Sequence, residues 1–350
     1  MKASYQKYTL HFKQPGGTSR GVLTQKDTYF IVLDGEDHMG IGEAGLFRGL
    51  SFDDRPDYEL QLEKACKGLD AKQPDLLVSF QEYPSIVFAV EQALRSFDSP
   101  DPFILFPQAP FTQGQPLSIN GLIWMGDLRF MKQQITEKLE GGFTCLKLKI
   151  GALDFKEELG LLREIRQEFS VDELEIRVDA NGAFPVESAL ERLTELAELG
   201  LHSIEQPIAA GQPQAMEALC AQTPLPIALD EELIGCINPE AKAVLLKTIR
   251  PQYIILKPSL LGGFSACEEW IQLAEALRIG WWVTSALESN IGLNAIAQWT
   301  SSLDVEMPQG LGTGGLFTNN FNSPLEVSRG KLQYNNTELW DIQKIREVCT

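Results

Sequence analysis

Apolar positions in the first hundred residues come as short β-favouring runs at 8–12, 21–25 and 29–33, separated by Gln14-Pro15-Gly16-Gly17 and by later turn formers such as Asp34-Gly35. That pattern predicts an antiparallel meander. Two stretches of helical periodicity follow, at 58–69 and 85–97, closed by the breaker-rich Asp98-Ser99-Pro100-Asp101-Pro102. This punctuation places a domain boundary near residue 110. From about 117 the texture changes to short apolar strands, at 117–122, 145–150, 175–179, 203–205, 226–230, 253–257 and 281–284, alternating with amphipathic helical stretches such as 154–168, 186–199 and 264–277. Positions 149, 179, 205, 230, 257 and 284, each near a strand end, lie 25 to 30 residues apart. One βα unit takes about that length, and seven or eight in succession close into a TIM-type barrel. A doubly wound open sheet competes, but no Gly-x-Gly-x-x-Gly stands at a first strand-to-helix turn.

Composition narrows the partners. Thirty basic residues against 48 acidic ones give a net charge of −18, so nucleic acid and anionic membranes would repel the chain. The longest apolar run, 86–90, is five residues, far below the roughly 20 that span a bilayer. The polar residues after Met1 do not resemble a secretory signal, and a cytoplasmic location is expected. The six cysteines are scattered with no Cys-x-x-Cys pair, and the three histidines are His11, His38 and His202. Carboxylates and lysines must therefore carry the chemistry.

These charged residues fall at the strand ends: Lys147 and Lys149, Asp179, Glu205, Asp230, Lys257, then Ser285 and Glu288. In a barrel the carboxyl ends of all strands form one rim, so residues remote in sequence meet at one cavity. A single strand-end acid also suits a helix cap or a turn. Three acids on consecutive strands would repel one another without a cation, and hard oxygen ligands suit Mg²⁺. Lys147 and Lys149 share a strand face. If that face is the interior, the pair is buried; if Leu146 and Leu148 point inward instead, the lysines are solvated. Like charges and a nearby divalent metal would lower the pKa of interior lysines toward that of a general base.

At this point the set Lys147-x-Lys149, Asp179-Ala180-Asn181, Glu205-Gln206-Pro207, Asp230-Glu231 and Leu256-Lys257-Pro258 resembles the muconate-lactonizing-like branch of the enolase superfamily. The segments 285–292 and 310–313 look like its seventh-strand and last-strand loops. The resemblance implies a (β/α)7β-type TIM barrel over 111–318, an α+β capping domain over 1–110, and a tail, 319–350, that packs back on the cap. It also implies a lyase that removes the proton α to a carboxylate of a small dicarboxylate and then loses water. Lys149 would be the base, with Lys147 and Lys257 supplying positive charge. Asp179, Glu205 and Asp230 would hold Mg²⁺, with Mn²⁺ as a substitute. Arg177, Asn181 and Glu231 would orient these groups, and Ser285, Glu288, Ser289 and Asn181 would meet the substrate. The cap loops 16–20 and 47–51 offer Arg20 and Arg48 for a substrate carboxylate, although either arginine also reads as a solvated loop charge. The same lysines suit a racemase of N-succinylamino acids. A dipeptide epimerase would call for an Asp-x-Asp near the last strand, where Asp304-Val305-Glu306 matches only in part. A barrel reduced to a binding module is disfavoured by the intact six-residue set. The sequence leaves homo-oligomerisation open.

Overall fold

The computed structural model describes residues 1–18, 21–36 and 38–349. The chain opens with a three-stranded antiparallel sheet of Lys2–Thr18, Gly21–Asp34 and Met39–Ala44. Its hairpin is longer than the apolar runs suggest, and the register shifts between His11 and Gly16. Pro15, which has no amide hydrogen to give a ladder, falls in that irregular stretch. The third strand went unmarked in the apolar pattern because its glycines dilute the alternation. Those glycines serve packing: a Cβ on Gly42 would lie 2.0 Å from the Ala89 carbonyl oxygen. Strand and helix therefore meet backbone to backbone.

Helices Tyr58–Asp70 and Pro84–Asp98 cover one face of this sheet, closing on Tyr29, Ile31 and Leu33. The alternate residues Phe30 and Val32 point the other way, as strand geometry requires, and pack with Ile41, Ile291, Phe321, Trp340 and Ile345. The cap is thus buried on both faces.

Seven parallel strands form the second sheet in strict sequence order: Gly121–Ile123, Cys145–Lys149, Glu175–Asp179, Ser203–Glu205, Ile227–Leu229, Tyr253–Leu256 and Gly280–Val283. Gln309 and Gly310 bridge Ile119 on one side and Thr284 on the other, both in parallel sense, so a stave of two residues closes the curl. The three outer helices with expected ranges, Phe155–Glu168, Val186–Ala197 and Gly263–Ala276, start and stop within a residue or two of them. Asn290–Ser301 was not expected; from Ile291 onward all of its residues are buried, which erases the amphipathic stripe that marks a helix in sequence. The stretch expected as one strand over 117–122 divides. Leu117–Ser118 pairs with Lys331–Tyr334 of a tail hairpin, and Gly121–Ile123 joins the barrel. Beyond the hairpin the tail lays helix Ile342–Cys349 against the cap, and Trp340 stacks on Phe103 with ring centroids 4.3 Å apart. Among the described residues no helix is long and apolar enough to cross a membrane.

Candidate active site

The second to fourth barrel strands run in register, so that Lys149, Asp179 and Glu205 stand side by side. The next two strands stop one residue short of Asp230 and Lys257, and Pro258 opens a short helix immediately afterwards. All six charged side chains are thereby brought to the rim and buried, none more than 9% exposed. The solvated alternative for Lys147 and Lys149 is excluded, because Leu146 and Leu148 are buried as well, in the apolar layer beneath the helices.

Three ammonium groups face three carboxylates. Lys147 Nζ donates to Glu205 Oε2 and lies 2.9 Å from Asp179 Oδ2. Lys149 Nζ donates to Asp179 Oδ2 and, at 2.9 Å, to Asn181 Oδ1. Lys257 Nζ donates to Asp230 Oδ2 and lies 3.7 Å from Glu205 Oε1. Asn181 gives its backbone amide to Asp179 Oδ1 and its side-chain amide to Glu231 Oε1 at 3.0 Å, so it orients the base candidate and an acid together.

The lysines do not titrate alike. Burial holds Lys149 below its usual range, and the charges of Lys147 and Lys257 add to the effect. For Lys147 and Lys257 the adjoining acids outweigh the same burial cost, and both are raised. The expected lowering thus holds for Lys149 and is corrected for its two companions. Of the acids, Asp179 and Asp230 are lowered because the lysines offset their burial. Glu205 is raised well above the carboxylate range by burial, with Asp179 and Asp230 adding repulsion.

Glu205 also carries the test of whether a cation fits here. Its Oε1 is buried without a hydrogen-bond partner among the described residues. A crowded carboxylate of this kind ionises fully only when further positive charge lies against it. With ammonium groups spreading the acids, no three acidic, thiol or imidazole groups among the described residues close round one point. The donor set itself, three buried carboxylates on adjacent strands, is the hard-oxygen set that suits Mg²⁺.

Above the charges is a cavity of about 70 Å³ walled mainly by apolar side chains. The cap contributes Leu23, Phe47 and Leu50, and the barrel contributes Leu122, Trp124, Leu260 and Leu287. Small-molecule pockets usually begin near 300 Å³, so a ligand of that size fits only if the wall moves outward. Asn120 Oδ1 and Thr284 Oγ1 belong to lining residues and are buried with no hydrogen-bond partner among the described residues. Buried polar atoms left open at a cavity are ready to pair with a ligand. Neither was expected from sequence; Thr284 ends an expected strand, which was the available signal, whereas Asn120 falls inside the strand expected over 117–122.

Several expected contacts are relocated. Ser285 and Asn181 line the cavity, but Glu288 and Ser289 do not. Both are fully buried behind the wall, where Glu288 accepts from Ser259 and Ser285, and Ser289 caps the following helix while donating to Glu43. Arg48 turns away to pair with Asp54 at 2.6 Å, and Arg20 lies outside the described residues. Arg177 sits a layer lower, donating to Glu175 and the Pro308 carbonyl with its guanidinium over Trp282, so it does not touch the metal-site candidates. Asp304 lines a separate surface hollow with Arg95 and Phe106.

A cap over a closed parallel barrel, with lysines and acids on the strand ends, defines an enzyme class that abstracts the proton α to a carboxylate. The chain belongs to the enolase C-terminal domain-like family, whose model matches residues 131–337, within the enolase superfamily. It is 48% identical to the o-succinylbenzoate synthase of Desulfotalea psychrophila, over 95% of this chain and 98% of that one. The crystal structure of MenC from the same organism superposes with a TM-score of 0.85 at 45% identity, covering 95% and 99% of the two chains. More distantly, the L-Ala-D/L-amino acid epimerase of Maribacter sp. is 24% identical over 87% of this chain and 88% of its own. The muconate lactonizing enzyme of Pseudomonas fluorescens shares the fold, with a TM-score of 0.81 at 20% identity over 100% and 98% of the chains.

Proposed function

We propose that the chain carries out the o-succinylbenzoate synthase reaction on a succinyl-hydroxycyclohexadiene carboxylate, losing water as the ring becomes aromatic, on the route to menaquinone in the cytoplasm. One observation carries this reading: identity near one half is maintained over almost the whole of this chain and of a synthase. The lysine and acid geometry alone would serve an epimerase equally well. The partial Asp-x-Asp match argues against that choice, because Asp304 lines a hollow away from the cavity.

In this reading Lys149 Nζ takes the α-proton and returns it to the departing hydroxyl on the same face, so that water leaves. Its depressed pKa supports the role, since a base must be able to shed its proton near neutral pH. Asn181 Oδ1 and Asp179 fix the amine's direction. Lys147 and Lys257, held charged by their acids, place positive charge around the carbanion as it forms. Asp179, Glu205 and Asp230 would hold Mg²⁺, which supplies Lewis-acid charge against a carboxylate whose α-proton is leaving. The apolar wall excludes water, and Asn120 and Thr284 offer hydrogen bonds to the substrate's polar groups.

The test is turnover of this substrate by purified protein with magnesium and with EDTA, followed by the ultraviolet change on aromatisation. Magnesium-dependent conversion is the expected result. No conversion, with deuterium entering N-succinylamino acids from heavy water, would replace the synthase by a racemase.

A further inference from the structure

Between cap sheet and barrel lies a buried polar cluster outside the reaction centre. Glu43, on cap strand Met39–Ala44, is fully buried, and its carboxylate accepts four hydrogen bonds. One comes from Thr28 Oγ1 of the cap at 2.8 Å. The other three come from the barrel: Ser289 N and Gly292 N, each at 2.9 Å, and Ser289 Oγ. A helix leaves its first amides unpaired and its N-terminus positive. A carboxylate of one domain thus completes the first turn of a helix in the other.

Glu288, next to that turn, accepts from Ser259 Oγ and Ser285 Oγ. The Ser285 hydroxyl in turn accepts from Leu287 N at 3.0 Å and Thr313 Oγ1 at 2.9 Å, tying together three residues of the cavity wall. The cap backbone lies directly on this group. A Cβ on Gly45 would come within 2.8 Å of Ser259 Oγ and 3.1 Å of Glu288 Cγ. Lys26, from cap strand Gly21–Asp34, is 7% exposed, and its Nζ has no hydrogen-bond partner among the described residues. The charges that reach it are those of Glu288 and Glu43. Burial lowers Lys26 and raises Glu43, while each draws the other back toward its charged form.

A buried ammonium without a bond costs more than a methionine of the same reach. Its contribution is therefore its field on two acids, one in each domain. We propose that Lys26 and Glu43 are positioning residues for the reaction: Glu43 bonds the cap strand to the helix that follows the wall at 285–287, Lys26 offsets the two neighbouring acids Glu43 and Glu288, and together they hold that wall against the cap in the arrangement that binds substrate. The substrate is taken from the function proposed above, on which this inference rests.

The experiment compares wild type, Lys26→Met, Glu43→Gln and the double variant by steady-state kinetics, and by amide hydrogen exchange over 285–293 in the resting protein. Coupling between sites is commonly worth about 5- to 150-fold, and a KM rise in that range is expected for Lys26→Met, with kcat changed far less. Exchange over 285–293 should quicken. Removing the now unbalanced second charge should make the double variant closer to wild type than Lys26→Met alone. Losses that simply add, or a Lys26→Met protein with unchanged KM and unchanged exchange, would overturn the proposal. Should Lys26→Met not fold, Thr28→Val and Ser289→Ala each remove one bond to Glu43, and the same KM-selective loss is expected; unchanged kinetics and exchange in both would equally overturn it. A wild-type protein that leaves the substrate unconverted would refute the function, and the exchange comparison would still decide the cluster's role.

Discussion

Replacing Asp53 by asparagine isolates a pH dependence that the cap has built in. Asp53 follows the cap segment carrying Phe47 and Leu50 and is fully buried. Its Oδ2 accepts from Ser85 N at 2.9 Å and from Ser85 Oγ at 2.6 Å, at the start of helix Pro84–Asp98. Its Oδ1 has no partner among the described residues. Burial outweighs the two hydrogen bonds and lifts the carboxyl from 3.8 to about 6. A folded-state pKa above the unfolded one contributes stability below the unfolded pKa, and that contribution is lost as pH rises through about 6. At 1.36 kcal/mol per unit, the full shift corresponds to roughly 3 kcal/mol. Between about pH 5 and pH 7 the part still to be lost is on the order of 1 kcal/mol. The asparagine of the Asp53→Asn variant cannot titrate, and its amide nitrogen meets a site with no acceptor, a pH-independent cost of about 1–3 kcal/mol. Urea unfolding of both proteins at several pH values in that window should therefore show the wild-type advantage shrinking by about 1 kcal/mol as pH rises. Parallel profiles, or a gap that widens with pH, would refute the burial argument.

Three further outcomes are expected. Lys149→Met should fold normally yet lose about 10²- to 10⁴-fold in kcat, the usual share of a positioned base, and exchange of the substrate's α-proton with solvent should fall in step. Glu205→Gln should abolish any rise in melting temperature that magnesium gives the wild type, since the crowded carboxylate that calls for a cation is gone; an undiminished magnesium effect would move the cation elsewhere. Gly42→Ala should lower stability by at least 1–3 kcal/mol, read by thermal unfolding, because the new methyl would lie 2.0 Å from a helix carbonyl oxygen that cannot yield without moving the helix.

Lys147, Lys149, Asp179, Glu205, Asp230 and Lys257 were readable from sequence because barrel topology converts a 25-to-30-residue spacing into proximity at one rim. Position next to a strand end does not reveal which way a side chain turns. Ser285 faces the cavity, whereas Glu288 and Ser289, a few residues on, have turned into the start of a helix and serve the cap contact. Arg48 met an acid six residues away, a pairing that no pattern marks. Nothing in the sequence marks Trp124 and Leu260 as cavity residues, because apolar side chains facing a cavity and those facing a core look alike there. The cap strand bearing Glu43 and the helix Asn290–Ser301, buried from Ile291 onward, lacked the periodicity that announces most elements.

The tail's return to the cap sets a constraint on how the molecule is born. Phe30 and Val32 leave the ribosome early, with the helices that cover the opposite side of their sheet following within seventy residues. Their own face waits for Ile291, Phe321, Trp340 and Ile345, made some three hundred residues later. Throughout synthesis of the barrel the nascent cap therefore exposes an aromatic sheet face, and this interval is when a chaperone would have most to hold.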